Sequence, residues 1–255
     1  MTSWDPAQYE RYADARLRPA SDLIARLHTE PKEVWDLGSG TGSITRLLAE
    51  RWPQASVHGL DSSSAMLEKA RLIPGIEWVL ADIALWAPRQ PADLIFSNAA
   101  LHWLGDHDEL FPRLAAHLAP GGVIAIQMPR NFAEPSHTLL AATATSARWR
   151  ETVGHLVAPS PVAEPAEYHR ILSPRFATLD IWETVYLQIL HGEAPIAEWA
   201  RGTAARPYLD ALGSDGEEFM ADYATRLRSA YPPVGDGSTL FPFRRLFIVA
   251  SDAAD

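Results

Sequence analysis

The chain has 255 residues, 47% of them hydrophobic and 21% charged, which is enough for one large α/β domain with a sizeable core. It has no cysteine, so a disulfide framework, a thiolate metal site and a thiol nucleophile are all excluded. A formal net charge of −10 with no offsetting basic cluster repels nucleic acid, and neither a basic-then-apolar leader nor an apolar run of membrane length is present; no nucleic acid, no membrane and a cytoplasmic location are expected.

Residues 5–28 read as helical, with Leu23, Ile24 and Leu27 on one stripe and Pro19 in a helix first turn. Lys32 to Leu37 is a first strand. It runs into Asp36-Leu37-Gly38-Ser39-Gly40-Thr41-Gly42, and a helix carrying Ile44, Leu47, Leu48 and Trp52 follows. Glycine accepts the positive φ of a sharp strand-to-helix bend and lets a ligand approach the main chain. The spacing is G-x-G-x-G, and Gly42 is followed by Ser43-Ile44. That is neither a dinucleotide fingerprint nor a phosphate loop, and it suits a nucleoside ligand without a pyrophosphate.

Ser56 to Asp61 is a second strand. Ser62-Ser63-Ser64 offers caps to a helix bearing Met66, Leu67 and Ala70. Ile76 to Leu80 and Ala92 to Ser97 are the third and fourth strands. A helix with Leu110, Leu114 and Leu118 comes next, Pro120-Gly121-Gly122 makes a turn, and Val123 to Met128 is a buried fifth strand. Strict alternation of strand and helix implies a parallel, doubly wound sheet. Phe176 to Leu190 and Phe243 to Ala250 read as further strands. The core is assigned to about 30–130, 176–191 and 241–252 of a single domain, and insertions at about 131–175 and 192–240 form a helical cap.

In such sheets ligands bind beyond the carboxyl ends of the strands. Asp36, Asp61 and Asp82 stand at three of those ends. Asp61 is placed to accept both hydroxyls of a ribose diol, Asp82 to accept from an adenine amine, and Ile83 to pack on the ring. Each acid singly is also what a cap or turn requires; three in register with the glycine loop point to a ligand.

These residues, with Gly59-Leu60-Asp61-Ser62-Ser63, Ala81-Asp82-Ile83, Asp93 to Asn98 and Leu118 to Gly122, resemble the Rossmann-like S-adenosylmethionine-dependent methyltransferases. The resemblance implies a seven-stranded, mostly parallel sheet with an antiparallel last strand, Phe243 to Ala250. It also implies S-adenosylmethionine as cofactor, leaving as S-adenosylhomocysteine. Gly38 and Gly40 would approach the methionyl part, with Asp36, Gly42 and Ser62 in the same cofactor set. Asp61 would hold the ribose, Asp82 and Ile83 would frame the adenine, and Asn98 would lie beside the methionyl group. A narrower likeness spans nearly the whole chain: Trp4-Asp5-Pro6, Tyr9, Arg16 to Pro19, Asn98 to Leu104, Gln127-Met128-Pro129, Asp180-Ile181-Trp182, Arg206-Pro207 and Arg245 to Ala250. These segments are similar to the trans-aconitate 2-methyltransferases.

That likeness implies a carboxyl O-methyltransferase whose partner is a small-molecule carboxylate, with trans-aconitate as the named substrate. A carboxylate of pKa ~4 is already ionised at neutral pH, so no general base is required. Arg18, Arg206 and Arg245 are the candidate carboxylate-binding cations, because a guanidinium fork matches carboxylate geometry; Arg16, Arg130 and Arg244 are weaker ones. His102 and Trp103 follow the fourth strand as positioning residues. Tyr168, like Tyr9 and Tyr12, is placed to close over the substrate, though tyrosine on an amphipathic helix also reads as core. The nine histidines show no metal-binding spacing. Open alternatives are another small carboxylate, a carrier-bound acid, a non-catalytic S-adenosylmethionine-binding module and a nicotinamide oxidoreductase. The acidic balance disfavours the carrier, and the loop spacing disfavours the oxidoreductase.

Overall fold

The computed structural model describes residues 13–252, with side chains from Leu17 onward. Trp4, Asp5, Pro6, Tyr9, Tyr12 and the side chain of Arg16 therefore lie outside the described residues.

In chain order the elements are α1 (Ala13–Ala25), β1 (Glu33–Leu37), α2 (Ser43–Arg51), β2 (Ser56–Asp61), α3 (Ser64–Ala70), β3 (Glu77–Leu80), β4 (Ala92–Asn98), α4 (His107–Ala115) and β5 (Leu118–Pro129). They continue with α5 (Pro135–Ala144), α6 (Arg150–Val153), α7 (Pro165–Leu172), β6 (Thr178–Leu190), α8 (Pro195–Arg201), α9 (Arg206–Leu212), α10 (Gly216–Ala230) and β7 (Thr239–Ser251). The seven strands form one sheet in the order β3-β2-β1-β4-β5-β7-β6. The five strands β3, β2, β1, β4 and β5 are mutually parallel, and β7 pairs antiparallel with β5. Strand order reverses between β1 and β4, which opens the crevice at the carboxyl ends where ligands of such sheets bind.

Two local expectations are corrected. Pro19 lies inside α1 rather than in its first turn. A mid-helix proline forfeits one backbone hydrogen bond, and the buried Ala20, Leu23 and Ile24 carry the helix through it. Leu118 opens β5 instead of ending α4, and Pro120-Gly121-Gly122 lies within the strand. Pairing with β4 passes from Ala92↔Leu118 to Leu94↔Val123, two residues on one strand against five on the other, so the Pro-Gly-Gly segment bows out of the ladder.

By internal packing the chain divides into two compact units. One holds residues 16–129, 161–184 and 245–252 of the described chain; the other holds 13–15, 130–160 and 185–244. In the first, Val34, Leu37, Leu60, Leu94, Ile95, Phe96, Ile124 and Ile126 are buried along the central strands, the near-continuous apolar pattern of a sheet covered on both faces. The second is mainly helical and has its own core, including Leu140, Trp149, Ile196, Trp199, Tyr208, Phe219, Tyr223 and Phe241. Two of its polar tips are paired: Trp149 Nε1 donates to Asp222 at 2.8 Å, and the Tyr223 hydroxyl donates to the Ser136 carbonyl at 2.6 Å. Among the described residues, no helix is long and apolar enough to cross a membrane.

Candidate active site

The glycine loop leaves β1 at the switch point. Gly38, Gly40 and Gly42 all have positive φ, at +85°, +56° and +82°. Their missing side chains serve different ends. A Cβ on Gly38 would stand 2.1 Å from the Cβ of Ala100, so this glycine lets the loop pack against the residues that follow β4. Trp78 fills the space over Gly42, at 2.5 Å from a Cβ built there. Nothing lies within 4 Å of such a Cβ on Gly40, which is the position that leaves room for a ligand against the main chain.

Asp61 closes β2 and ties this loop to the next. Its Oδ2 accepts from the Gly40 N–H and its Oδ1 from the Ser63 N–H, both at 2.8 Å. Each oxygen keeps a further acceptor position, so two lone pairs remain at the separation of one carboxylate, the spacing a vicinal diol presents. Of the three serines, Ser63 caps α3, its Oγ accepting from the Met66 N–H at 3.3 Å; Ser62 is exposed in the loop. Asp82 follows β3 and caps the short turn Ile83–Leu85 through Oδ1, which accepts from the Ala84 N–H at 2.8 Å. Arg113 of α4 holds that turn from the other side, donating to the Ile83 and Trp86 carbonyls at 2.9 and 3.1 Å. The Ile83 side chain is buried near Gly38.

Asp36 lies within β1, and its buried carboxyl accepts from the Thr45 hydroxyl at 2.6 Å. Burial pushes its pKa up to about 7, the Thr45 bond opposes this, and the nearby Asp61 charge adds to it. Its place is therefore beneath the loop, fastening β1 to α2.

Asn98 ends β4, and its buried Oδ1 has no hydrogen-bond partner among the described residues. His102 sits in the turn Leu101–Trp103 just beyond. Burial, then the Arg245 charge and then His107, pull its pKa down to about 3. It is thus neutral at physiological pH, with one ring nitrogen able to donate and the other able to accept. Trp103 beside it is 64% exposed. Arg245 is buried at the position of β7 opposite Pro129 of β5. Arg18 is exposed on α1, and Arg206 is held by Asp210 at 2.8 Å within α9.

Tyr168 lies on α7. Its side chain is fully buried, packed against Phe111 and His107. The His107 Nε2–H donates to the Leu101 carbonyl at 3.0 Å, which leaves Nδ1 to accept from the Tyr168 hydroxyl at 2.7 Å. The same hydroxyl accepts from the Ala163 N–H at 3.2 Å. The buried hydroxyl thus has its partners in the core of the sheet unit, which is the packing reading that an amphipathic helix also allows. His107 and Arg113 were missed at the sequence level; both sit on a helix face that periodicity reads as packing. Gln127 was noted only within the family likeness, although an amide interrupting a run of apolar residues was a readable signal.

The open Gly40 face, the two remaining Asp61 acceptor positions, the apolar Ile83 and the unpaired Asn98 Oδ1 together fit an adenosyl group with an amino-acid tail. Residues 34–122 match the family model described as a methyltransferase domain. The plantazolicin methyltransferase BpumL, solved with a pentazolic desmethylPZN analog and S-adenosylhomocysteine, shares the fold: TM-score 0.51, 15% identity, 97% of this chain and 90% of that one covered. The trans-aconitate 2-methyltransferase of Azoarcus sp. (strain BH72) is 49% identical, covering 98% of this chain and 99% of its own. That of Streptomyces avermitilis is 46% identical, covering 100% and 98%. This protein belongs to the trans-aconitate 2-methyltransferase family.

Proposed function

We propose that this protein methylates one carboxylate of trans-aconitate, or of a closely similar small polycarboxylic acid, to give the methyl ester. The observation that carries the reading is the Asp61–Gly40 lock, which holds a diol acceptor and an open main-chain face at the switch point of a family member. S-Adenosylmethionine supplies an electrophilic sulfonium methyl group when bound. Asp61 would hold its ribose, Asp82 and Ile83 its adenine, and Gly38, Gly40 and Asn98 its methionyl part; Ser62 and Gly42 belong to the same loops.

The work of the chain is then placement and dehydration. A substrate carboxylate enters ionised, so no residue has to remove a proton. His102, held far below the usual histidine range, suits that role as a neutral hydrogen-bonding group. Holding nucleophile and methyl at near-attack distance is worth ~7–11 kcal/mol, and excluding water strips the carboxylate of its hydration. The buried Arg245 is the strongest candidate for a non-reacting carboxylate, with Arg18 and Arg206 as further candidates. We assign a pocket wall to Trp103.

The test is methyl transfer from S-adenosylmethionine to a panel of di- and tricarboxylic acids, with mass-spectrometric detection of the ester. Transfer to trans-aconitate at the highest kcat/KM is expected. Tight cofactor binding with no transfer to any acid refutes the reading and leaves a binding module.

A further inference from the structure

The register of the sheet brings four polar side chains onto one face of four adjacent strands. Asp36 of β1 lies opposite Phe96, two residues before Asn98 of β4. Asn98 pairs with Gln127 of β5. Gln127 pairs with Phe247 of β7, two residues from Arg245. Paired residues share a face, as do residues two apart on a strand, so Asp36, Asn98, Gln127 and Arg245 form a diagonal row. Gln127 stands between Asn98, on the cofactor side, and the buried arginine. It is fully buried, and neither its Nε2 nor its Oε1 has a hydrogen-bond partner among the described residues. Its strand neighbours Ile126 and Met128 are buried and apolar. A buried primary amide with both ends unpaired costs stability that a methionine of similar shape would not.

Resting on the function proposed above, we propose that Gln127 orients the reacting carboxylate. Its amide donates one neutral hydrogen bond to one carboxylate oxygen and leaves the other oxygen to attack. In the step, an O–C bond forms as the S–C bond breaks, both electrons of the latter go to sulfur, the two opposite charges vanish together, and no proton moves. The attacking carboxylate loses its charge in the transition state. A bidentate arginine would hold the ground state more strongly than the transition state and slow the reaction. A single neutral donor fixes direction with far less of that penalty. The row thus assigns Arg245 to a carboxylate that does not react and Gln127 to the one that does.

The experiment compares full-length wild type with Gln127→Met and Gln127→Glu for kcat/KM toward trans-aconitate, affinity for S-adenosylhomocysteine and melting temperature. Gln127→Met is expected to lower kcat/KM by about 10- to 100-fold, the range of one hydrogen bond to a charged group. It should leave product affinity within about twofold and keep or raise the melting temperature. Gln127→Glu, which opposes an anion to an anion, should fall further. Unchanged kcat/KM in Gln127→Met overturns the inference, and so does a lowered melting temperature or failure to fold, because either assigns the amide to the fold. A wild type that methylates no polycarboxylic acid instead overturns the parent reading, a separate and recognisable outcome.

Discussion

Asp36 makes the stability of the sheet unit depend on pH in a direction opposite to most carboxylates. Its folded pKa is raised from 3.8 to about 7, chiefly by burial. Between those values the folded protein holds a proton that the unfolded chain releases, so the contribution of Asp36 to stability falls as pH rises from about 4 to about 7. A shift of about three units corresponds to about 4 kcal/mol at 1.36 kcal/mol per unit. Buried histidines act the other way: with pKa lowered to about 3 at His102 and about 4 at His137, they cost stability as pH falls below about 6.5. The wild-type profile is therefore a partial cancellation. Asp36→Asn isolates the acid, because asparagine keeps an oxygen for the Thr45 hydroxyl and matches the protonated aspartic acid in shape. The variant should equal wild type near pH 4 and exceed it near pH 8 by up to about 4 kcal/mol. That is a melting-temperature gain of roughly 10 °C for a chain of this size. Urea unfolding and calorimetry of both proteins across that range measure the difference. A variant equally or less stable than wild type at pH 8 would mean that Asp36 is ionised and stabilised in the fold, which refutes the reasoning.

Asp61→Ala removes a charged acceptor from the Gly40 and Ser63 N–H groups. It should weaken S-adenosylmethionine binding by about 1–3 kcal/mol in titration calorimetry; an unchanged dissociation constant removes Asp61 from the site. Tyr168→Phe leaves the His107 Nδ1 and the Ala163 N–H without their hydroxyl partner. Denaturant unfolding should show a loss of about 1–3 kcal/mol while the substrate KM holds, and a raised KM at full stability would return Tyr168 to the pocket. Arg206→Ala breaks only a partly exposed i,i+4 pair, so stability should change little. If Arg206 reads the substrate, KM for the carboxylate rises with cofactor affinity intact; equal loss of both assigns it to the fold.

The half of the chain up to β5 was legible because its signals are local. A strand ending in an acid, glycines at alternate positions and a helix beyond them specify a bend whatever surrounds it, and the predicted β2 coincides with the observed Ser56–Asp61. Local signals also misled. Pro120-Gly121-Gly122 carries turn chemistry, yet the ladder bridges it, since pairing with β4 on both sides outweighs three residues that bow out. Tyr168 shows the limit of periodicity, which marks a helix face without saying what lies against it.

Chain order alone thus determined the βα rhythm, the glycine loop and the acids at three strand ends, because each depends on neighbours within a few residues. Only the tertiary structure decided that Gly40 is the open glycine and that Ser63 is the cap. Tertiary packing also raised the pKa of Asp36 and lowered that of His102. The row of Asp36, Asn98, Gln127 and Arg245 belongs to the same class. Those residues are up to 209 positions apart in sequence and meet only because strand order and register place β1, β4, β5 and β7 side by side. Burial and the pairing of distant strands are properties of the packed sheet, and they set the charge and the hydrogen-bonding capacity on which the chemistry depends.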